Sequence, residues 1–189
     1  MKNLYIVISR THTTIGWFIR KMTGYQYNHV SVSFNQNLVP LYSYARYHRN
    51  HPFYGGFVEE SWLRYIQKGK NVQIIVFEIP ITEEKYEELY KGIQGMKRDK
   101  RRYRYSYVEA LNSKFLHQKL KLKDKHTCLS FSIYLLKKAG ILKKSEKIFS
   151  IEELCCQLKK FPYQKIQIRP RDKYKYSWGE DDYLKEDTY

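Results

Sequence analysis

Cysteine is scarce in this sequence, and long apolar runs are missing altogether. Three cysteines occur among 189 residues, and two of them, Cys155 and Cys156, are adjacent. This number and spacing fit neither a disulfide framework nor a zinc site. No stretch approaches the ~20 consecutive apolar residues that a membrane-spanning helix needs. The sequence therefore predicts a reduced, cytoplasmic protein whose chain has no transmembrane helix.

Acidic residues are also few compared with basic ones. The chain has 35 Lys or Arg and 19 Asp or Glu, which gives a formal net charge of +16. The excess is concentrated between Lys97 and Lys125, where 11 basic residues stand against 3 acidic ones. Basic residues mixed with tyrosines are typical of surfaces that bind nucleic acid or anionic lipid. A solvated loop that only keeps the protein soluble would have the same composition, and both interpretations stay open.

The overall composition is that of a globular protein. Its hydrophobic share of 42% and aromatic share of 16% exclude an intrinsically disordered chain. The length suits one domain rather than two. Strand and helix signals alternate, which predicts an α+β fold. One of the predicted elements is a short helix over residues 59–67. We expect a single domain over residues 1–170 and a polar, loose tail over residues 171–189.

Residues 126–140 predict a short buried helix with a cysteine in its first turn. Thr127 is a good N-cap, and Gly140 suits the left-handed residue that ends many helices. Apolar side chains cover most of the circumference between these two residues. Cys128 would then lie at the positive end of the helix dipole, an environment that lowers thiol pKa values from ~8.5 to roughly 3.5–7.5. Buried cysteines are often only small hydrophobic residues, so a catalytic role also requires a base.

His29 is the candidate base. The strand predicted over residues 27–34 carries His29 on its polar side, together with Ser31 and Ser33. A nucleophilic cysteine needs an imidazole within hydrogen-bond reach and a third group that orients the ring. Because the two serines are small, a helix could pack closely over this side of the strand. The pattern therefore predicts that Cys128 and His29 lie in contact.

The third group depends on the register of the following strand. If residues 35–37 form a three-residue turn, His29 lies opposite Ser43, which makes this serine the first candidate. Tyr42, Tyr44 and Arg46 take its place if the register differs.

The order of these segments resembles the circularly permuted branch of the NlpC-type papain-like cysteine hydrolases. This group includes the YiiX- and YycO-like bacterial proteins, and the lecithin retinol acyltransferase-like enzymes share its permuted order. In this branch the histidine strand precedes the cysteine helix. The resemblance spans most of the chain and is carried by residues 27–31, 41–46, 55–59, 103–105, 127–131 and 139–141.

The resemblance implies a permuted papain-like domain in which a small antiparallel sheet packs against a central cysteine-bearing helix. It implies Cys128 as the nucleophile and His29 as the base. It places the third residue most nearly at Ser43, where family members usually have Glu, Gln, Asn or His.

The expected activity is thiol-dependent hydrolysis or acyl transfer at an amide, ester or thioester bond. The substrate would be a small-molecule, peptide or lipid acyl compound, and no metal or organic cofactor is needed. The alternative is a non-catalytic module on the same fold, whose basic face binds nucleic acid or anionic lipid.

Overall fold

The strands in the described part of the chain form one sheet. A computed structural model describes residues 1–48, 54–66, 69–99, 102–105, 125–172 and 181. Within these ranges the strands are β1 (Lys2–Ser9), β2 (His29–Ser33), β3 (Leu41–Arg46), β4 (Gly55–Glu60), β5 (Val72–Ile81), β6 (Arg104–Tyr105), β7 (Lys125–His126) and β8 (Tyr163–Ile168). The helices are α1 (Thr14–Thr23), α2 (Glu83–Arg98), α3 (Cys128–Lys138) and α4 (Ile151–Leu158), and two 3₁₀ turns cover Trp62–Arg64 and Pro170–Asp172.

The strand order across the sheet is β7-β6-β4-β3-β2-β1-β5-β8. The six longer strands pair antiparallel, and β6 and β7, each of two residues, extend the β4 edge and run parallel to each other. β1 lies between β2 and β5 and is buried from Leu4 to Ser9 on both faces. A strand covered on both faces reads as a continuous apolar run, as this one does. The predicted α+β class is confirmed.

In the described part of the chain, each of the four helices is preceded by a hydroxyl residue that serves as its N-cap, as the sequence predicts for Thr127. The side chains of the N-cap residues accept a hydrogen bond from the backbone amide three residues later. These N-caps are Thr13, Thr82, Thr127 and Ser150. Two glycines that follow helices, Gly24 and the predicted Gly140, have φ values of 69° and 77°, a left-handed conformation that costs glycine little.

Two apolar layers cover the two faces of the sheet. The helices α2, α3 and α4 pack on one face, where residues such as Leu89, Phe131 and Leu154 bury their side chains. The 3₁₀ turn at Trp62–Arg64 and the residues after it cover the opposite face, where Trp62 and Tyr65 pack against β1 and β5. Because strand side chains alternate between faces, each position on β2, β3 and β4 is assigned to one of these two layers.

Two local predictions are wrong. The pattern of residues 59–67 favours a short helix, but Glu60 ends β4 and only Trp62–Arg64 forms a 3₁₀ turn. The register of β2 and β3 also differs, because Val32 lies opposite Tyr42. The connection is longer than three residues: its Leu38 has φ 58° and its carbonyl accepts a hydrogen bond from Trp62 Nε1 at 3.1 Å.

The C-terminal segment departs from its expected looseness at Asp181. This residue is buried, with 4% of its surface exposed, while residues 173–180 and 182–189 lie outside the described ranges. None of the helices within the described ranges combines the length and the apolar character needed to cross a bilayer.

Candidate active site

The imidazole of His29 contacts both a thiol and a carboxylate. Its Nε2 atom lies 3.0 Å from Oε1 and 3.1 Å from Oε2 of Glu60. The ring also forms a side-chain hydrogen bond with Cys128. Nε2 is thus the ring nitrogen that faces the carboxylate. The structure thus brings together Cys128 and His29, which the sequence places in one site.

Cys128 is the first residue of α3 and is held there by a reciprocal cap. The amide of Ser130 donates to Thr127 Oγ1 at 3.1 Å, and the amide of Thr127 donates to Ser130 Oγ at 2.9 Å. The amides of Cys128 and Leu129, at the first two helical positions, have no acceptor within the helix. With 9% of its surface exposed, Cys128 is nearly enclosed. Its sulfur is therefore positioned beside amides that can stabilise an oxyanion.

The helix reaches His29 in a different way from the one predicted. Its Phe131 packs against Tyr44 and Phe57, with ring centroids 5.2 Å and 5.9 Å apart. These contacts place α3 on the face of the sheet opposite the one that carries Ser31. The prediction that the helix covers the polar side of β2 is wrong. His29 and Cys128 can still meet because each is the first residue of its element.

The polar side of β2 is covered instead by the segment that contains Glu60. The Glu60 carboxylate is fully buried and accepts from Ser31 Oγ at 2.7 Å and from the hydroxyl of Tyr65. Arg64 Nη1 lies farther away, at 3.4 Å from Oε1. Together with His29, these groups give the carboxylate four neighbouring donors. A buried carboxylate can stay charged when donors and opposite charges surround it in this way.

The pKa values of the pair are displaced in opposite directions. Burial by itself would lower the pKa of His29, but the charges of Glu60 and Cys128 outweigh it and raise this pKa from 6.5 to about 10. Burial likewise opposes ionisation of Glu60, but the charge of His29 and its hydrogen bond, with help from Arg64 and Tyr65, lower the pKa to about 2. At neutral pH the site therefore holds an imidazolium against a carboxylate. Burial and the charge of Glu60 raise the pKa of Tyr65, which stays a neutral donor.

Ser43 does not occupy the orienting position. It is fully buried and lies opposite Val58 on β4, and within the described part of the chain its Oγ has no hydrogen-bond partner. The register of β2 and β3 brings Ser43 level with Ser31 rather than with His29. The physical reason is that the connection between β2 and β3 is longer than the predicted three-residue turn, which shifts β3 by two positions relative to β2. The alternatives Tyr42, Tyr44 and Arg46 are even-numbered and face the α3 side of the sheet.

Glu60 was missed because the sequence pattern places it in a helix. Glu59 precedes it directly, and nothing local separates the two acids. In the structure Glu59 points to the other face, where its carboxylate lies 2.7 Å from Lys97 Nζ. One signal was available: Arg64 follows Glu60 by four residues, and the two form an ion pair.

The backbone before His29 is held by its neighbour Asn28. The side chain of Asn28 accepts from the amide of Thr11 at 3.0 Å and donates to Thr11 Oγ1 at 2.6 Å. It also accepts from Arg20 Nη1 at 2.9 Å. A Cβ at Gly16 would lie 2.3 Å from Asn28 Nδ2, so α1 can approach this point only with glycine there. These contacts fix where β2 begins.

Other predicted features carry less structural information. Most of the segment from Lys97 to Lys125 lies outside the described residues, so its binding role stays a prediction. Among residues that the structure does describe, no group of three or more His, Cys, Asp or Glu side chains could hold a metal ion. Cys155 is buried and Cys156 is exposed on α4.

Comparisons of the chain with protein-family models, with curated proteins and with solved structures found no match. A functional assignment therefore depends on the geometry of Cys128, His29 and Glu60.

Proposed function

We propose that this protein is a thiol-dependent hydrolase or acyltransferase with Cys128 as nucleophile, His29 as general base and acid, and Glu60 as the residue that orients the ring. The observation that carries this proposal is the single imidazole that contacts both a thiol in the first turn of a helix and a buried carboxylate. Nucleophilic catalysis requires a nucleophile, a base that contacts it, and a group that contacts and orients the base.

The first half of the reaction forms a covalent intermediate. With the shared proton held by His29 as an imidazolium, the sulfur of Cys128 attacks the carbonyl carbon of an amide, ester or thioester as the thiolate. The oxyanion is held by the amides at the start of α3. When the tetrahedral intermediate collapses, the bond to the leaving group breaks and His29 donates its proton to that group. The product is an acyl thioester on Cys128.

The second half releases the acyl group. His29, now neutral, accepts a proton from water or from another acceptor that attacks the thioester carbonyl. The C–S bond breaks, and the thiolate of Cys128 is restored beside the reprotonated imidazolium of His29. Water as acceptor gives hydrolysis, and an amine, alcohol or thiol gives acyl transfer. Glu60 stabilises the imidazolium in both halves, because its carboxylate stays charged beside the ring.

The resemblance to permuted papain-like hydrolases supports this proposal in two respects. Family members usually have Glu, Gln, Asn or His as the third residue, and Glu60 is of this kind. The chain order of His29, Glu60 and Cys128 also agrees with a permuted arrangement. A permuted papain-like identity for the domain is part of the proposal.

The test is capture of the acyl-enzyme. The protein is mixed with a panel of activated acyl compounds, p-nitrophenyl esters and aryl thioesters of short peptides and of fatty acids, and its intact mass is measured within seconds. We expect an added acyl mass that maps to Cys128 by peptide mass spectrometry and disappears in Cys128→Ser. The exposed Cys156 is an internal control for simple thiol reactivity. Acylation that maps equally to Cys156, or that persists in Cys128→Ser, would refute the proposal.

A further inference from the structure

A carboxylate far along the chain is buried beside the candidate site. Asp181 follows Arg64 by 117 positions and binds its guanidinium with two hydrogen bonds, from Nε to Oδ2 at 2.9 Å and from Nη2 to Oδ1 at 2.5 Å. Both side chains are nearly closed to solvent, with 6% exposed for Arg64 and 2% for Asp181. This paired geometry is the strongest that Arg forms with a carboxylate.

The same carboxylate also holds the backbone next to Glu60. Oδ2 of Asp181 accepts a hydrogen bond from the amide of Ser61 at 3.0 Å. Asp181 therefore contacts both the residue that follows Glu60 and the arginine that lies beside the Glu60 carboxylate.

Arg64 lies between two carboxylates, and this position leaves Glu60 able to hydrogen-bond with His29. Asp181 occupies the Nε and Nη2 edge of the guanidinium. Nη1 is left to donate to the carbonyl of Arg46 at 3.1 Å and more weakly to Glu60 at 3.4 Å. His29 is closer, at 3.0 Å from the same Oε1 atom. With His29 protonated, these four side chains carry two positive and two negative charges.

We propose that Asp181 is a positioning residue, which engages Arg64 and so keeps the Glu60 carboxylate directed at His29. This inference rests on the proposed function of the Cys128 and His29 pair. Without Asp181, the buried guanidinium would lose its closer carboxylate partner, at 2.5 Å against 3.4 Å for Glu60, and turn towards Glu60. It would then compete with the imidazole for the same oxygen, because a buried charge without a partner is costly.

The test compares Asp181→Asn with a matched control in the same region of the chain. Asp172→Asn removes a carboxylate that is 32% exposed and 4.0 Å from Arg171, outside the described site. Two readouts are used: the titration midpoint of the His29 ring by NMR, and the rate of Cys128 alkylation by iodoacetamide. We expect Asp181→Asn to lower the midpoint by about one pH unit and the rate by roughly threefold to tenfold, as for neighbouring groups that share partners. Asp172→Asn should leave both readouts unchanged.

A rescue experiment separates positioning from general stability. In the double variant Arg64→Gln, Asp181→Asn, no buried cation is left to compete for Glu60. We expect this variant to recover at least half of the decrease in the His29 midpoint and in the Cys128 alkylation rate. We also expect it to fold even if Asp181→Asn alone does not. The proposal is overturned if folded Asp181→Asn keeps both readouts at wild-type values. It is also overturned if the double variant remains as impaired as the single one.

The two proposals fail in distinguishable ways. If wild-type Cys128 reacts no faster than Cys156, the thiol is not activated and the proposed function fails. The midpoint of His29 would still respond to Asp181→Asn if the positioning role is correct. If Cys128 is reactive but the titration midpoint of His29 does not change in Asp181→Asn, only the positioning role is contradicted.

Discussion

Nε2 of His29 lies 3.0 Å from Oε1 of Glu60, across 31 positions of sequence, and the imidazole and the carboxylate are both withdrawn from solvent. The two side chains reach each other because β2 and β4 place His29 and Glu60 on the same face of the sheet, and the chain turns at Ser61 to close over them. This pair gives the adjacent thiol of Cys128 a base whose orientation is fixed from the other side.

Cys128 should be alkylated by iodoacetamide at pH 7 faster than Cys155 or Cys156. The imidazolium of His29 stabilises the thiolate, which is the reactive form of cysteine. His29→Ala removes this stabilisation, and we expect the rate at Cys128 to fall by about tenfold or more while the rate at Cys156 stays the same. Residue-resolved mass spectrometry over time measures all three rates together. Equal rates for the three thiols in the wild type would indicate a structural Cys128.

Glu60→Gln should destabilise the protein by about 3–5 kcal/mol near pH 6, because it removes one partner of a buried ion pair. The pKa of His29 is raised, so its contribution to folding stability is complete below pH 6.5 and is lost as pH rises through about 10. The pKa of Glu60 is lowered from 4.5 to about 2, so its contribution to folding stability is complete above pH 4.5 and is lost as pH falls through about 2. The difference in the free energy of unfolding between wild type and variant should therefore be largest between pH 4.5 and 6.5 and shrink on both sides. Denaturant unfolding over pH 3–9 measures it, and a difference that is flat across this range would contradict the ion pair.

Ser43→Ala should leave the alkylation rate of Cys128 within about twofold of wild type. The hydroxyl has no hydrogen-bond partner in the described structure, and an unpaired buried hydroxyl costs about 1–3 kcal/mol. We therefore expect the free energy of unfolding to stay the same or to rise. Glu60→Gln is the matched comparison, since the two residues are the competing candidates for the third position. A large loss of reactivity in Ser43→Ala with none in Glu60→Gln would reverse the assignment.

The basic segment from Lys97 to Lys125 should bind an anionic partner in a salt-dependent manner. We expect the replacement of Arg101, Arg102 and Arg104 by Gln to weaken binding to phosphatidylserine vesicles or to a single-stranded oligonucleotide. The reactivity of Cys128 should not change. Binding should also fall as salt rises, because exposed charges are screened within roughly 10 Å at 0.1 M ionic strength. Sedimentation and gel-shift titrations distinguish the two partners, and no saturable binding to either at low salt would leave only the solubility interpretation.

The sequence by itself determined those features that depend on neighbours along the chain. Thr127 caps the apolar run that follows it, so the start of α3 and the place of Cys128 in its first turn could be predicted. The alternation around His29 likewise predicted a strand with one polar side. Both are local, since a cap needs three residues and a strand pattern needs about six.

Only the tertiary structure decided which residues complete the site. Ser43 and Glu60 both lie on strands beyond β2, and the choice between them depends on a register that the length of the 34–40 connection sets. Leu38 adopts its left-handed conformation within that connection, where its carbonyl accepts the indole hydrogen of Trp62, a contact 24 positions away. Asp181 is more remote still, because its polar surroundings in the sequence resemble a solvated tail and its partner Arg64 is buried on another element. Side chains that share a buried charge network are selected by the packing around them, which no local pattern encodes.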